Sequence, residues 1–307
     1  MTHPIVRVVD LVPGETVPVA SVDAETLTAE SFWTEHVIPH RPVLIRGAVK
    51  HWAAVQKWSD PRYLISDLKK DVFFSRTHNP FQDVVYGRVI RRQSLQRCLD
   101  TVRDAAPEET WSVPSFDVPE SWSRDLGPYP FLPPEHDRFP VFYERQRLFL
   151  YRNAATDWHP HLLDETLTTQ LVGSKRIGLF KLDTRNCEPY AQALEANFHH
   201  VANAQHFFPE DARVTKHEGI IHAGDAMYIP PLWWHGIDPT DGAWGLTLAH
   251  VFRSPNVSMG YWSDPLTRWT VNHLVKSGNA LGAAVASRWI TVGSVARAWS
   301  KSPFARG

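Results

Sequence analysis

Three histidines are the residues of this chain best suited to chemistry. Two stand one residue apart in Thr156-Asp157-Trp158-His159-Pro160-His161, and the third, His235, closes the run Gly224–Gly236, GDAMYIPPLWWHG. Imidazole nitrogen binds iron, zinc, copper and nickel. Residues two apart on a strand point to one face, so His159 and His161 can approach a single ion. His235 follows His161 by 74 positions and completes a triad if its strand faces back across a barrel. The pair alone is a weak signal. Sixteen histidines among 307 residues produce about one His-x-His by chance. A core histidine behind Trp233 and Trp234 is the plainer reading of His235 taken by itself.

These histidines need strands to position them, and the pattern from Arg147 to Arg253 supplies strands. RLFLYR, RIGLF, GIIHAGDAMYIP and GLTLAHVF are short apolar runs separated by Gly, Asp and Pro, as in a sandwich or barrel. Upstream, TAESFWTEHVI reads as a short helix with Thr28 as N-cap and Glu30 in its first turn. PVLIRG (Pro42–Gly47) reads as a buried strand. DPRYLISDLKKD opens with an Asp-Pro helix signal, and VFFSRT follows as a strand. RQSLQRCLDTVRDA puts Leu95, Cys98, Leu99 and Val102 on one helical face. Proline-rich Pro114–Pro140 reads as a long ordered loop over the surface, near the mouth of a site. The tail reads as two helices, the first from Ser263-Asp264-Pro265 to near Gly278. The second begins near Asn279 and stripes Leu281, Val285, Trp289, Val292, Ala296 and Trp299, for packing on the barrel or for a dimer seam.

Composition sets outer bounds. Apolar residues make up 43% of the chain, charged residues 21%, and the net charge is −1. That is ordinary for a globular protein and gives no broad surface for nucleic acid or membrane. The two cysteines, Cys98 and Cys187, form no metal motif, and the expected compartment is the cytoplasm. The opening residues do not read as a signal peptide, and no apolar run approaches the roughly 18 residues of a bilayer span.

With the strands in place, the chain resembles the cupin-like, JmjC-type oxygenases that use iron(II) and 2-oxoglutarate. Thr156-Asp157-Trp158-His159 is similar to the opening of that family's Thr-x-x-His-x-Asp strand. Thr166 to Phe180, TLTTQLVGSKRIGLF, matches its Asn-Leu-x-x-Gln-x-x-Gly-x-Lys-Arg-x-x-Leu-Phe segment, with Thr for Asn. Gly224 to His235 matches Gly-Asp-x-x-x-Ile-Pro-x-x-Trp-x-His, and RPVLIRGAVKHWAAVQKWSD resembles the family's N-terminal entry. The likeness runs from about Val37 to Arg253. It implies a mainly β fold with flanking helices: a double-stranded β-helix (jelly-roll, cupin) with N-terminal α/β decoration and C-terminal helices. The expected division is a domain over 1–253, with its barrel core about 145–253, and a helical region over 254–307 that is a candidate for dimerisation.

By the same resemblance, His159 and His235 are iron ligands and the catalytic centre. Lys175 pairs with the distal carboxylate of 2-oxoglutarate, Thr156 hydrogen-bonds it, and Thr166 belongs to the same co-substrate pocket. The implied activity is hydroxylation of a protein, peptide or small molecule, with nucleic acid not an expected partner. The pattern departs at one position, because the family's Asp falls on His161. Three readings follow. His161 is the third ligand of a three-histidine site, a type that in other cupins includes dioxygenases independent of 2-oxoglutarate. Alternatively Asp164 or Glu165 reaches the ion from a loop with one extra residue, through a bulge. In the third, the site has lost iron and the fold is a binding protein. His250 is either a donor beside the metal or a core histidine, and His199, His200 and His222 are expected at the surface.

Overall fold

The computed structural model describes residues 7–60, 62–74, 91–140, 143–161, 164–182, 214–240 and 242–253, with Arg268 and Asn272 beyond them. The tail helices, Cys187, His199, His200 and residues 75–90 lie outside the described residues, as does the stripe from Leu281 to Trp299.

Two sheets dominate. The smaller combines β1 (Gly14–Pro18), β8 (Thr156–Pro160), β10 (Ser174–Lys181), β11 (Val214–His222) and β13 (Trp233–Pro239), in the order β1-β11-β10-β13-β8. The larger combines β2 (Ser21–Asp23), β3 (Val43–Arg46), β6 (Trp111–Asp117), β7 (Gln146–Arg152), β9 (Glu165–Val172), β12 (Ala226–Ile229) and β14 (Trp244–Phe252), in the order β2-β3-β12-β9-β14-β7-β6. A separate two-stranded sheet pairs β4 (Asp71–Phe74) antiparallel with β5 (Arg91–Ser94). The barrel strands pair antiparallel and, apart from consecutive β10 and β11, alternate between the two sheets along the chain, as in a jelly roll. Ile177 and Leu179 from the smaller sheet meet Leu44, Met227 and Ile229 from the larger, so apolar side chains fill one end of the space between the sheets.

The other faces of both sheets are covered as well. Leu148, Leu150, Leu167, Leu171, Leu246, Leu248 and Phe252 point outward from the larger sheet into the main core, with Phe32, Trp52, Trp58, Leu99 and Phe131. Behind the smaller sheet, the 3-10 helix Val8–Leu11 packs on Trp158, Phe180 and Trp234. Asp238 accepts the Val8 and Val9 amides at 2.8 and 2.9 Å and fixes that helix in place. Full burial of one such large side chain contributes roughly 1.5–3 kcal/mol.

Most local readings survive. Thr28 caps Ala29–Ser31 in a capping box with Ser31, and the helix continues as a π-helix over Phe32–Val37. Leu95–Asp104 is helical, with Leu95, Cys98, Leu99 and Val102 buried. Two expectations are corrected. Residues 62–70 form no helix. The Asp60 carboxylate takes the Arg62 amide at 3.0 Å, Gln96 takes the Ser66 amide at 2.9 Å, and the Ile65 carbonyl receives the Trp122 indole at 3.0 Å. Those groups are thereby bonded outside any i to i−4 ladder. Nor is Pro114–Pro140 one surface loop. Its first residues belong to β6, which pairs with β7, and the register shifts between Val113 and Phe116, where the missing amide of Pro114 is tolerated. A helical turn, Glu120–Ser123, follows, and Tyr129, Phe131 and Leu132 are buried.

Candidate metal centre

Strands β8 and β13 run antiparallel with His159 directly opposite His235, and their ring centroids are 4.1 Å apart. His161 lies just past the end of β8, 5.3 Å from the His159 ring and 4.8 Å from the His235 ring. One ligand nitrogen from each residue falls within 4.8 Å of the other two. Thr156 and His159 are three apart, so a regular strand would send them to opposite faces. The register slips between His235 and Ile237, because Ile237 pairs with Thr156, giving β8 one extra residue there. The bulge turns Thr156 to the same interior as His159.

The ring orientations are set by their Nδ1 atoms. His159 Nδ1 lies 2.8 Å from the Asp157 carbonyl, and His235 Nδ1 3.3 Å from the Trp233 carbonyl. A carbonyl only accepts, so each Nδ1 carries the proton and the lone pair stays on Nε2. His161 Nδ1 is 2.7 Å from the Thr166 hydroxyl. Thr166, expected in the co-substrate pocket, therefore stands against the third imidazole. Burial pushes the His235 pKa well below its ordinary value, and His159 and His161 beside it push the same way. A neutral imidazole is the form that binds metal.

Packing behind the centre fixes its spacing. The Trp158 ring lies over Gly178 and Gly236, where an added Cβ would come within 2.9 and 2.8 Å of it, and its indole donates to the Val8 carbonyl at 2.7 Å. Those two glycines let Trp158 bind β8 closely to β13 and β10. Trp158 and Trp234 are fully buried. Leu232 adopts φ 67°, a left-handed conformation unusual for leucine, and its amide donates to the His161 carbonyl at 2.7 Å. The start of β13 thus holds the backbone of His161. At the head of β12, the Asp225 carboxylate takes the Gly47 amide at 2.8 Å and the Arg46 guanidinium at 2.8 Å, which accounts for the Gly-Asp turn.

Lys175 projects from β10 into the interior, 4% exposed. Its Nζ sits 3.8 Å from the centroid of the Tyr151 ring. Among the described residues no carboxylate pairs with it, and burial lowers its pKa to about 7. It lines a cavity with Thr156, Tyr151, Phe149 and Ser112, and the buried Ser112 hydroxyl makes no hydrogen bond. Asp164 and Glu165 are fully buried. Neither belongs to the three-histidine cluster, and Glu165 accepts the Tyr228 hydroxyl at 2.9 Å. His250 turns to the outer core, with Asp137 at 2.9 Å and Gln146 at 3.2 Å from its two nitrogens. His222 is exposed, as expected.

A model of the cupin-like domain matches residues 29–268. The chain belongs to that family. Among its relatives, a Drosophila melanogaster protein named Jumonji C domain-containing protein 5 is 24% identical over 278 residues, 80% of this chain and 59% of the relative. The human bifunctional peptidase and (3S)-lysyl hydroxylase JMJD7 is 38% identical over 80 residues, 24% of this chain and 25% of its own. Lysine-specific demethylase 8 of Xenopus tropicalis is 22% identical over 258 residues, 75% of this chain and 54% of its own. The chain thus spans 59% or less of each of these three relatives. Among the described residues, no helix is long and apolar enough to cross a membrane.

Sequence reasoning missed four contributors: Ser112, Tyr143, Arg147 and Tyr151. The alternation within RLFLYR carried a signal for two of them. Leu148 and Leu150 face the outer core, so Arg147, Phe149 and Tyr151 share the opposite, interior face.

Proposed function

We propose that this protein is an iron(II)- and 2-oxoglutarate-dependent oxygenase that hydroxylates a protein, peptide or small-molecule substrate. The observation that carries the reading is the cluster of three imidazoles, each oriented through Nδ1, at one end of an interior whose other end holds a buried lysine that no described carboxylate pairs with. The donor set fits iron, for which neutral imidazole is a suitable ligand. The Lys175 end fits an anion, because a buried cation without a counter-charge is relieved by a carboxylate.

In this reading His159, His161 and His235 hold the metal, and Thr166 keeps the His161 ring in place. Lys175 and Thr156 receive the distal carboxylate of 2-oxoglutarate. Iron and 2-oxoglutarate, when bound, supply an oxidant from O₂ strong enough to attack an unactivated C–H bond, with succinate and CO₂ as by-products. The chain itself positions, orients and excludes water: Trp158 and the two glycines set the spacing of β8 and β13, and the buried barrel wall shields the centre. Two of the relatives reported above carry hydroxylase or demethylase names directed at lysine, which supports protein or peptide substrates. The reading places the protein in the cytoplasm as a cupin-like domain over 1–253, with 254–307 available for a homodimer.

The test is spectroscopic. Anaerobic addition of 2-oxoglutarate to the iron(II)-loaded protein is expected to give a weak visible charge-transfer band. Tight iron binding without that band would mean a three-histidine dioxygenase that does not use 2-oxoglutarate, and no iron uptake would mean a binding protein.

A further inference from the structure

The interior wall carries a second cation that no described acid neutralises. Arg147 lies on the lumen face of β7, four residues from Tyr151, whose ring holds Lys175. Its Nε is buried and makes no hydrogen bond. Its guanidinium carbon lies 5.6 Å from the centroid of the Tyr143 ring, and that ring lies 5.2 Å from the His161 ring. Arg147 therefore belongs to the histidine side of the lumen. Along the strand it stands roughly 13 Å from the station of Lys175, too far for one five-carbon diacid to occupy both.

The acids near Arg147 leave it unpaired. Asp117 is its cross-strand neighbour on β6, yet the Asp117 carboxylate meets Lys70 at 3.6 Å. Glu144 is exposed. Among the described residues, neither acid forms an ion pair with Arg147. Burial lowers its pKa, although Tyr143, Glu144 and Asp117 act the other way.

A guanidinium held this way, with its Nε–H unused, suits the two parallel hydrogen bonds that a carboxylate makes. We propose that Arg147 recognises a carboxylate on the substrate, so that the centre selects an acidic side chain of a peptide or a small carboxylic acid. The inference rests on the oxygenase reading for the location of the substrate and departs from the lysine named for the relatives. The Tyr143 ring then forms the wall between the recognised carboxylate and the His161 side of the centre.

The test is calorimetric binding to the manganese(II)-loaded protein under saturating 2-oxoglutarate. The probes are a capped Ala-Glu-Ala peptide, its glutamine isostere, its lysine analogue, and N-acetylglutamate as a small acid. At least one acid is expected to bind about tenfold or more tighter than the glutamine peptide. The probe that shows it separates peptide from small-molecule recognition. The preference should vanish in Arg147→Gln and return in part in Arg147→Lys. Failure of both acids to bind tighter than the glutamine peptide, or a preference for lysine, overturns the proposal. The wild-type comparison stands even where a variant fails to fold. Failure of 2-oxoglutarate to bind would sink the oxygenase reading, while the probe preference would still be measured on the metal-loaded protein alone.

Discussion

Replacing Lys175 with methionine should stabilise the ligand-free protein, and by an amount that depends on pH. Burial takes the Lys175 pKa from 10.5 to about 7. At about 1.4 kcal/mol per tenfold change in proton affinity, keeping the ammonium charged in the fold costs on the order of 5 kcal/mol. Below pH 7 lysine is protonated in both folded and unfolded chains, so the penalty is present in full. Between pH 7 and 10.5 the folded chain releases the proton while the unfolded chain keeps it, and stability climbs. Above 10.5 the contribution is flat. Methionine has similar volume and no charge, so Lys175→Met should gain about 1–3 kcal/mol at pH 6, a part of that penalty. The gap should close by pH 10. The assay is urea unfolding of metal-free protein at both pH values. Relative to the metal-loaded protein, 2-oxoglutarate at about a hundred times its dissociation constant should add about 2.7 kcal/mol to wild type and far less to the variant. A ligand-free Lys175→Met protein less stable than wild type at pH 6 would refute the reasoning, because it would mean that the fold already compensates the ammonium.

His159→Ala and His235→Ala should each abolish tight iron binding, measured by metal titration, and retained affinity in the double variant would end the case for the site. Gly236→Ala should destabilise by about 1–3 kcal/mol in thermal unfolding, because the new Cβ meets the Trp158 ring at 2.8 Å; unchanged iron affinity would show that the spacing of β8 and β13 does not depend on that contact. Thr166→Val removes the hydroxyl 2.7 Å from His161 Nδ1 and should weaken iron binding about 10–100-fold without unfolding the protein.

The barrel was legible because its strands carry short-range signals. Gly-Asp before AMYIP gave the turn, and Pro230 gave the end of β12, since each acts on its own neighbours. His159 and His235 could be paired only through the family resemblance, because their meeting depends on strands 76 residues apart lying in register. The interior position of Thr156 needed the bulge opposite Gly236, and no local pattern announces a slip of one residue. The helix expected after Asp60 failed for a related reason. The Asp-Pro signal is real locally, but Gln96, distant in sequence, claims the Ser66 amide. Arg147 and Ser112 escaped notice because an unmet hydrogen bond is a property of what lies around a side chain, and that is absent from the order of residues.

The third ligand can be tested from both of its candidates at once. His161 is held at two points: the Leu232 amide donates to its carbonyl at 2.7 Å, and the Thr166 hydroxyl meets its ring. Leu232 makes that bond in a left-handed conformation, of the kind that costs on the order of 1–3 kcal/mol. A ring fixed at this expense is pre-arranged for ligation, whereas Asp164 is fully buried and stands outside the cluster. His161→Ala should therefore lower iron affinity at least about a hundredfold, a loss comparable to removing a buried hydrogen-bonded group. His161→Asp should recover part of it, since carboxylate also ligates iron. Asp164→Asn should leave iron affinity within a few-fold of wild type. The opposite ranking, with Asp164→Asn more damaging than His161→Ala in the same metal titration, would transfer the third position to the carboxylate and make His161 a neighbour of the centre.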